Sequence, residues 1–143
     1  MKKARTVAVL MVSLAVVYIA SGCAMLQRGP SDEQLLSELL HGWQAAMEQG
    51  DVDKLMSFYS ESYVGGDGSD YATTKERMEQ IVPMLEQIEA EFSSAETQIQ
   101  IEGDKATLAP ISVESSYGAA EITLIATKEA PGMWRITSSE MER

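Results

Sequence analysis

The apolar residues of this 143-residue chain change period partway along it. Up to about Ala90 they recur at three- and four-residue spacing. Beyond Glu91 they alternate, as where Ile99 and Ile101 stand between Gln98, Gln100 and Glu102. A spacing near 3.6 buries a stripe along a helix, and a spacing of two buries one face of a pleat. The chain must therefore place helices first and an antiparallel sheet second, which is the order of an α+β domain. With 45% hydrophobic residues and four prolines the composition is that of one globular domain rather than a disordered chain.

In the first half, Ser31 with Gln34 reads as a capping box opening a helix from Asp32 to Gln49, with Leu36, Leu39, Leu40, Trp43, Ala46 and Met47 on its buried face. Gly50 ends it, and Asp51 caps a second helix from Val52 to Tyr59. Glu61–Gly65 reads as a short strand and Gly66–Asp70 as a loop of turn formers. Thr73 with Glu76 reads as another capping box, opening a third helix from Thr74 to about Ala90. Its expected buried face is Met78, Ile81, Val82, Leu85 and Ile88, and Pro83 should bend it or end its regular part. In the second half, Gly103-Asp104 joins a hairpin. The inward parity then moves from Leu108 to Ile111 and Val113, which calls for a bulge near Ala109 and Pro110. Ala119–Lys128 and Met133–Ser138 complete four strands, joined by Ala130-Pro131-Gly132.

The N-terminus carries an address. Lys2, Lys3 and Arg5 precede 15 uncharged residues, Thr6 to Ala20, a run short for a permanent span and right for a cleaved secretory signal. The next residues, Ala20-Ser21-Gly22-Cys23, resemble the lipobox of bacterial lipoproteins, with Ala20 where that family more often has Leu. The resemblance implies cleavage before Cys23 and acylation of its thiol and new amino group, leaving Ala24–Pro30 as a tether. Two or three acyl chains make a lasting anchor where one does not. Ala24, rather than an aspartate, after the cysteine resembles the Gram-negative pattern sent on to the outer membrane, on its periplasmic face. Without residues 1–22 the formal charge falls from −11 to −14, which argues against nucleic acid as a partner.

The order of helix, helix, short strand, helix and antiparallel meander resembles the nuclear-transport-factor-like superfamily, which includes SnoaL-like proteins and ketosteroid isomerases. Trp43-Gln-Ala-Ala-Met-Glu-Gln-Gly50-Asp51 through Phe58-Tyr59 is similar to that family's opening, and Lys128–Ile136 to its last hairpin. The resemblance spans about Asp32 to Met141. It implies a cone of three helices wrapped by a curved sheet, with an open mouth and frequent pairing of copies through the sheets.

The same resemblance places an isomerase base at Gly65–Asp67, so Asp67 is the candidate base and Tyr63 the candidate hydrogen-bond donor if the domain is an enzyme. Such a base needs a dry setting, whereas Asp67 sits among glycines. Asp67, Ser69 and Asp70 lack the remaining ligands of a calcium loop. His41 is the only imidazole, and the only thiol, Cys23, is committed to lipid, so multi-histidine metal sites and Cys–His pairs are excluded and no metal or cofactor is expected. Trp43, Tyr59, Tyr63, Met84 and Trp134 are candidates to line an apolar pocket. The expected function is a membrane-anchored, non-catalytic envelope module that binds a small apolar ligand or a partner protein. The alternative is an isomerase- or cyclase-like enzyme acting on a hydrophobic small molecule. Between Ala119 and Ala126 apolar residues fall on both parities, Ile125 among them, so a homodimer through the outer sheet face is also expected.

Overall fold

The structure is a computed structural model that describes residues 29–143. The expected signal segment, Cys23 and the expected tether up to residue 28 lie outside the described residues. Residues Asp32–Arg143 form one compact unit. Its helices are α1 (Asp32–Gln49), α2 (Val52–Met56) and α3 (Tyr71–Leu85). Its strands are β1 (Glu91–Ser93), β2 (Gln98–Glu102), β3 (Lys105–Ser115), β4 (Gly118–Ala130) and β5 (Met133–Glu142). All strand pairs are antiparallel, in the order β1-β3-β4-β5. β2 lies beside the first half of β3, and β1 beside its second half.

The sheet curves because its long strands are interrupted. The β3–β4 register shifts between Leu108 and Ile111, where the change of parity in the sequence calls for a bulge. A second shift follows Ile125 in β4, where Ile125 pairs with Ser138 and Ala126 with Ile136, so Thr137 has no opposite number. Cross-strand partners share a face. The inner face thus carries Ile99, Leu108 and Leu124 in one row and Ile101, Ala106 and Ala126 in the next. Onto it packs the α1 stripe of Leu36, Leu39, Leu40, Trp43, Ala46 and Met47, each at most 6% exposed.

α1 and the segment that follows α2 meet closely at Gly42, where an added Cβ would lie 2.6 Å from Cζ of Phe58. Only a residue without a side chain admits the Phe58 ring there. Among the buried groups, the Trp43 indole nitrogen donates to the Tyr59 hydroxyl at 3.1 Å. At the start of α1, Asp32 accepts from the Trp134 indole at 2.9 Å and from Lys128 at 3.0 Å, which pins the helix to the β4–β5 hairpin.

Four expectations are corrected. The second helix stops at Met56 rather than Tyr59, because β5 draws the following residues into extended pairing: Ser60 donates to Ile136 O and Ile136 to Phe58 O. Glu61–Gly65 is no strand. It makes single bonds along β5, Val64 to Thr137 O and Gly66 to Ser139 O, and one bridge, Val64 to Asp70. The third helix begins at Tyr71, capped by Asp70, whose carboxylate accepts from Thr73 N at 2.8 Å, and it ends two residues after Pro83. A carboxylate caps at least as well as the threonine hydroxyl expected to do so. Its buried residues are Thr74 and Val82, while Ile81 is 39% exposed. Finally, β1 was not foreseen, since three residues are too few to show a period. On the outer face, Ile125 stands between Thr107 and Ser138, with Thr123 and Thr127 on either side, so that face is more polar than the alternation implies.

Replacing Tyr59 with Phe should leave the Trp43 indole N–H buried without an acceptor, a loss of about 1–3 kcal/mol. Urea unfolding of the Tyr59→Phe variant checks this, and an unchanged midpoint would show that the bond contributes nothing to the core.

Candidate functional site

The residues expected to line a pocket are mostly the core itself. Trp43, Tyr59, Tyr63 and Trp134 are each at most 5% exposed. The Tyr59 and Tyr63 rings meet edge to face at 5.0 Å, and Trp43 meets Phe92 edge to face at 6.0 Å. Burial holds both tyrosine hydroxyls above their ordinary range, Tyr59 furthest. The Lys128 ammonium lies 5.9 Å from the Trp134 ring. Met84 does not join them and is 52% exposed. It follows the buried Val82 by two residues, and at ~100° per residue this turns it to the opposite side of α3.

Tyr63 and Asp67 come together around the buried Gly65. A Cβ there would lie 2.8 Å from the Ser69 hydroxyl, 3.0 Å from Asp67 Oδ1 and 3.2 Å from the Tyr63 hydroxyl. Only glycine leaves room for this polar cluster. Asp67 Oδ1 accepts from Ser69 N at 3.0 Å and from Ser69 Oγ at 2.6 Å, and Arg77 donates to Oδ2 at 2.7 Å. The serine donors and the guanidinium hold the carboxyl well below the usual carboxylate range. The Tyr63 hydroxyl is bonded to Ser139 Oγ at 2.6 Å. A base for proton abstraction from carbon needs a raised pKa in a dry setting. Asp67 has the reverse, with a half-exposed side chain whose lone pairs are engaged. The arrangement closes a loop against α3. Asp70, at its end, caps that helix. His41 is exposed, with Nδ1 3.4 Å from the Ser37 hydroxyl. Among the described residues no group of three His, Cys, Asp or Glu is placed to hold a metal ion.

A different feature was not foreseen. Where α1 and α3 both end, beside β1 and the β3–β4 turn, lies an open groove of about 850 Å³. Its floor includes the buried Met47, Val82 and Phe92. Among the described residues five glutamates line it, Glu48, Glu86, Glu89, Glu91 and Glu114, and no lysine or arginine does. Three of the five lie close in sequence, but the folding that adds Glu48 and Glu114 has no sequence signal. The one legible hint is that neither helix carries a basic residue in its last turn.

The Asp67 cluster should be visible in the acid limb of stability. A carboxyl whose folded pKa lies below its unfolded value near 3.8 contributes stability above that value and loses it as pH falls towards the folded one. Taking the protein from about pH 6 to about pH 3 should therefore cost wild type more than Asp67→Asn, measured as the shift in urea midpoint. Equal shifts would mean that the loop does not hold the carboxylate as described.

The profile of the Cds6 C-terminal NTF2-like domain family matches residues 34–142. No curated protein matches the chain. Among solved structures, a Shewanella frigidimarina protein described as a candidate ketosteroid isomerase superposes with a TM-score of 0.63 at 18% identity, covering 76% of this chain and 94% of that one. A Streptomyces avermitilis protein described as a candidate dehydratase of the NTF2-like family gives 0.57 at 17% identity, covering 74% and 91%. Bd1075 of Bdellovibrio bacteriovorus gives 0.59 at 20% identity, covering 75% of this chain but 38% of that longer one. At these identities the likeness is one of fold. With its helices followed by a curved antiparallel sheet, and with the profile matched over almost all of Asp32–Arg143, the chain belongs to the Cds6 C-terminal NTF2-like domain family.

Proposed function

We propose that the mature protein is a lipid-anchored module of the bacterial envelope, held by acyl chains on Cys23, that acts by binding at its surface rather than by catalysis. The observation that carries the binding half is the state of Asp67. The one carboxylate expected to act as a base is locked by Ser69 and Arg77, and the aromatics expected to line a pocket pack against one another. The anchoring half rests on the basic leader, its 15-residue apolar run and Ala20-Ser21-Gly22-Cys23. Ala24 favours the periplasmic face of the outer membrane in a Gram-negative cell. An interior filled with side chains favours a macromolecular partner over a small apolar ligand.

One observation favours a catalytic reading. Structures with this fold include the candidate isomerase and the candidate dehydratase, and Tyr63 and Asp67 do meet around Gly65. For Asp67 to act as a base, the loop would have to give up the Arg77 pair and both serine bonds.

Intact mass of the protein extracted from membranes tests the anchor. The expected species begins at Cys23 and carries two or three acyl chains. A chain that begins elsewhere, or that begins at Cys23 without acyl mass, would overturn the reading.

A further inference from the structure

The β4–β5 hairpin and the start of α1 share one end of the domain. Asp32, the first residue of α1, accepts from Trp134 at 2.9 Å and from Lys128 at 3.0 Å, so the point where the leading chain enters the helix is fixed to this hairpin. The turn beyond, Ala130-Pro131-Gly132-Met133, carries no ionisable side chain, and Met133 is 43% exposed. On the outer face of the sheet Thr127 lies between Lys105 and Arg135, which brings two cations to the same end. Among the described residues neither is in an ion pair. The acids here are Asp32, Glu129, which accepts from the Ser60 hydroxyl at 3.0 Å, and the exposed Glu33, Glu102 and Asp104. The opposite end is the more acidic one. α1 runs about 27 Å from Asp32 to Gln49, and Glu48, Glu86, Glu89, Glu91 and Glu114 gather where it stops.

We infer that this hairpin end is the surface the domain turns to its membrane. The turn from Ala130 to Met133 enters the headgroup layer of the bilayer that holds the anchor, and Lys105 and Arg135 sit over its phosphates. The inference rests on the anchored-module reading proposed above and adds the orientation of the module. Nine peptide steps lead from Cys23 to Asp32, a reach of at most about 30 Å, so an anchor at Cys23 keeps the hairpin end close to the surface. Over so short a reach a contact too weak to hold a free protein is enough, because the second binding event is intramolecular. The turn supplies that contact, since an apolar side chain held in water gains by moving into the interface. Charge sets the direction. Anionic headgroups repel the glutamates at the far end, and phosphates attract Lys105 and Arg135.

The test uses the full mature protein, purified from membranes, in nanodiscs of phosphatidylethanolamine and phosphatidylglycerol that carry a gadolinium chelate on a fraction of the headgroups. Broadening of nuclear magnetic resonance signals then reports closeness to the membrane surface. The exposed Met133, Met84 and Met141 are the probes, with Met84 near the end of α3 and Met141 near the end of β5, both away from the hairpin. The Met133 methyl is expected to broaden several-fold more than either of the others. In Met133→Glu, still held by its acyl chains, the Gly132 and Gly103 amides should lose their excess broadening and approach that of Gly118, at the far β3–β4 turn. The double variant Lys105→Gln, Arg135→Gln should reduce the broadening of Met133 as well. Equal broadening of the three methyls would mean that the domain turns freely, and greater broadening of Met84 or Met141 would put the opposite end at the surface. Unaltered broadening in either variant would mean that the named side chains make no contact. Shifts of Gly132 and Met133 that follow the number of chains per disc, without gadolinium broadening, would make a second copy the occupant. Each of these results overturns the inference. Intact mass of the same sample separates the two readings. With Cys23 acylated, any of these results leaves the anchored module standing, whereas a chain without acyl mass removes that module and this inference with it.

Discussion

The apolar stripe of α1 is the constraint on which the rest of the domain depends. Leu36, Leu39, Leu40, Trp43, Ala46 and Met47 lie along just over three turns of helix, and each large side chain left in water would cost about 1.5–3 kcal/mol. No single flat layer covers such a stripe, so the sheet has to curve over it. The curvature comes from the register shifts after Leu108 and Ile125. Trp43 then sets a polar condition within an apolar core, since its indole N–H needs an acceptor. The Tyr59 hydroxyl supplies it from the segment that follows α2, so one hydrogen bond joins the first helix to the chain that pairs with β5.

From that arrangement follows a division between a packed interior and a charged surface. Of the aromatics that fill the centre, Trp43 donates to Tyr59, Tyr63 is bonded to Ser139 and Trp134 donates to Asp32. The polar residues near the end of β5, Tyr63, Ser69, Thr74 and Ser139, make hydrogen bonds within the loop they close. What remains unbalanced lies elsewhere, where two helices end together without a basic residue in the last turn and glutamates gather above the buried Met47, Val82 and Phe92. Like charges held side by side oppose folding, so a fold that keeps them together carries a cost.

Elements with a strong period were legible in the sequence, and those set by tertiary contact were not. α1 runs from Asp32 to Gln49 as its spacing requires, and the hairpin at Gly103-Asp104 and the bulge before Ile111 follow from alternation and its change of parity. Glu61–Gly65 has strand-forming residues, yet single bonds to β5 fix it as an irregular edge. Asp70 and Thr73 both suit an N-cap, and the bridge from Val64 to Asp70 favours the earlier position. Met84 belongs to an apolar run, but the phase of α3 turns it outward. For the site, the sequence brought Tyr63 and Asp67 to one loop but could not show Arg77, ten residues on, closing over the carboxylate. The groove is less legible still, because Glu48, Glu86 and Glu114 meet only when three elements end at the same place.

The closed interior is the central claim, and the exchange of the Trp43 indole proton tests it most directly. With its bond to Tyr59 inside a sealed core, that proton should exchange only through global unfolding, at the rate of the slowest amides of β3 and β4 in the same nuclear magnetic resonance experiment. Exchange far faster than those amides, with the fold intact, would mean that the mouth of the sheet opens to solvent, and a ligand cavity around Trp43, Tyr59 and Tyr63 would replace the sealed core described above.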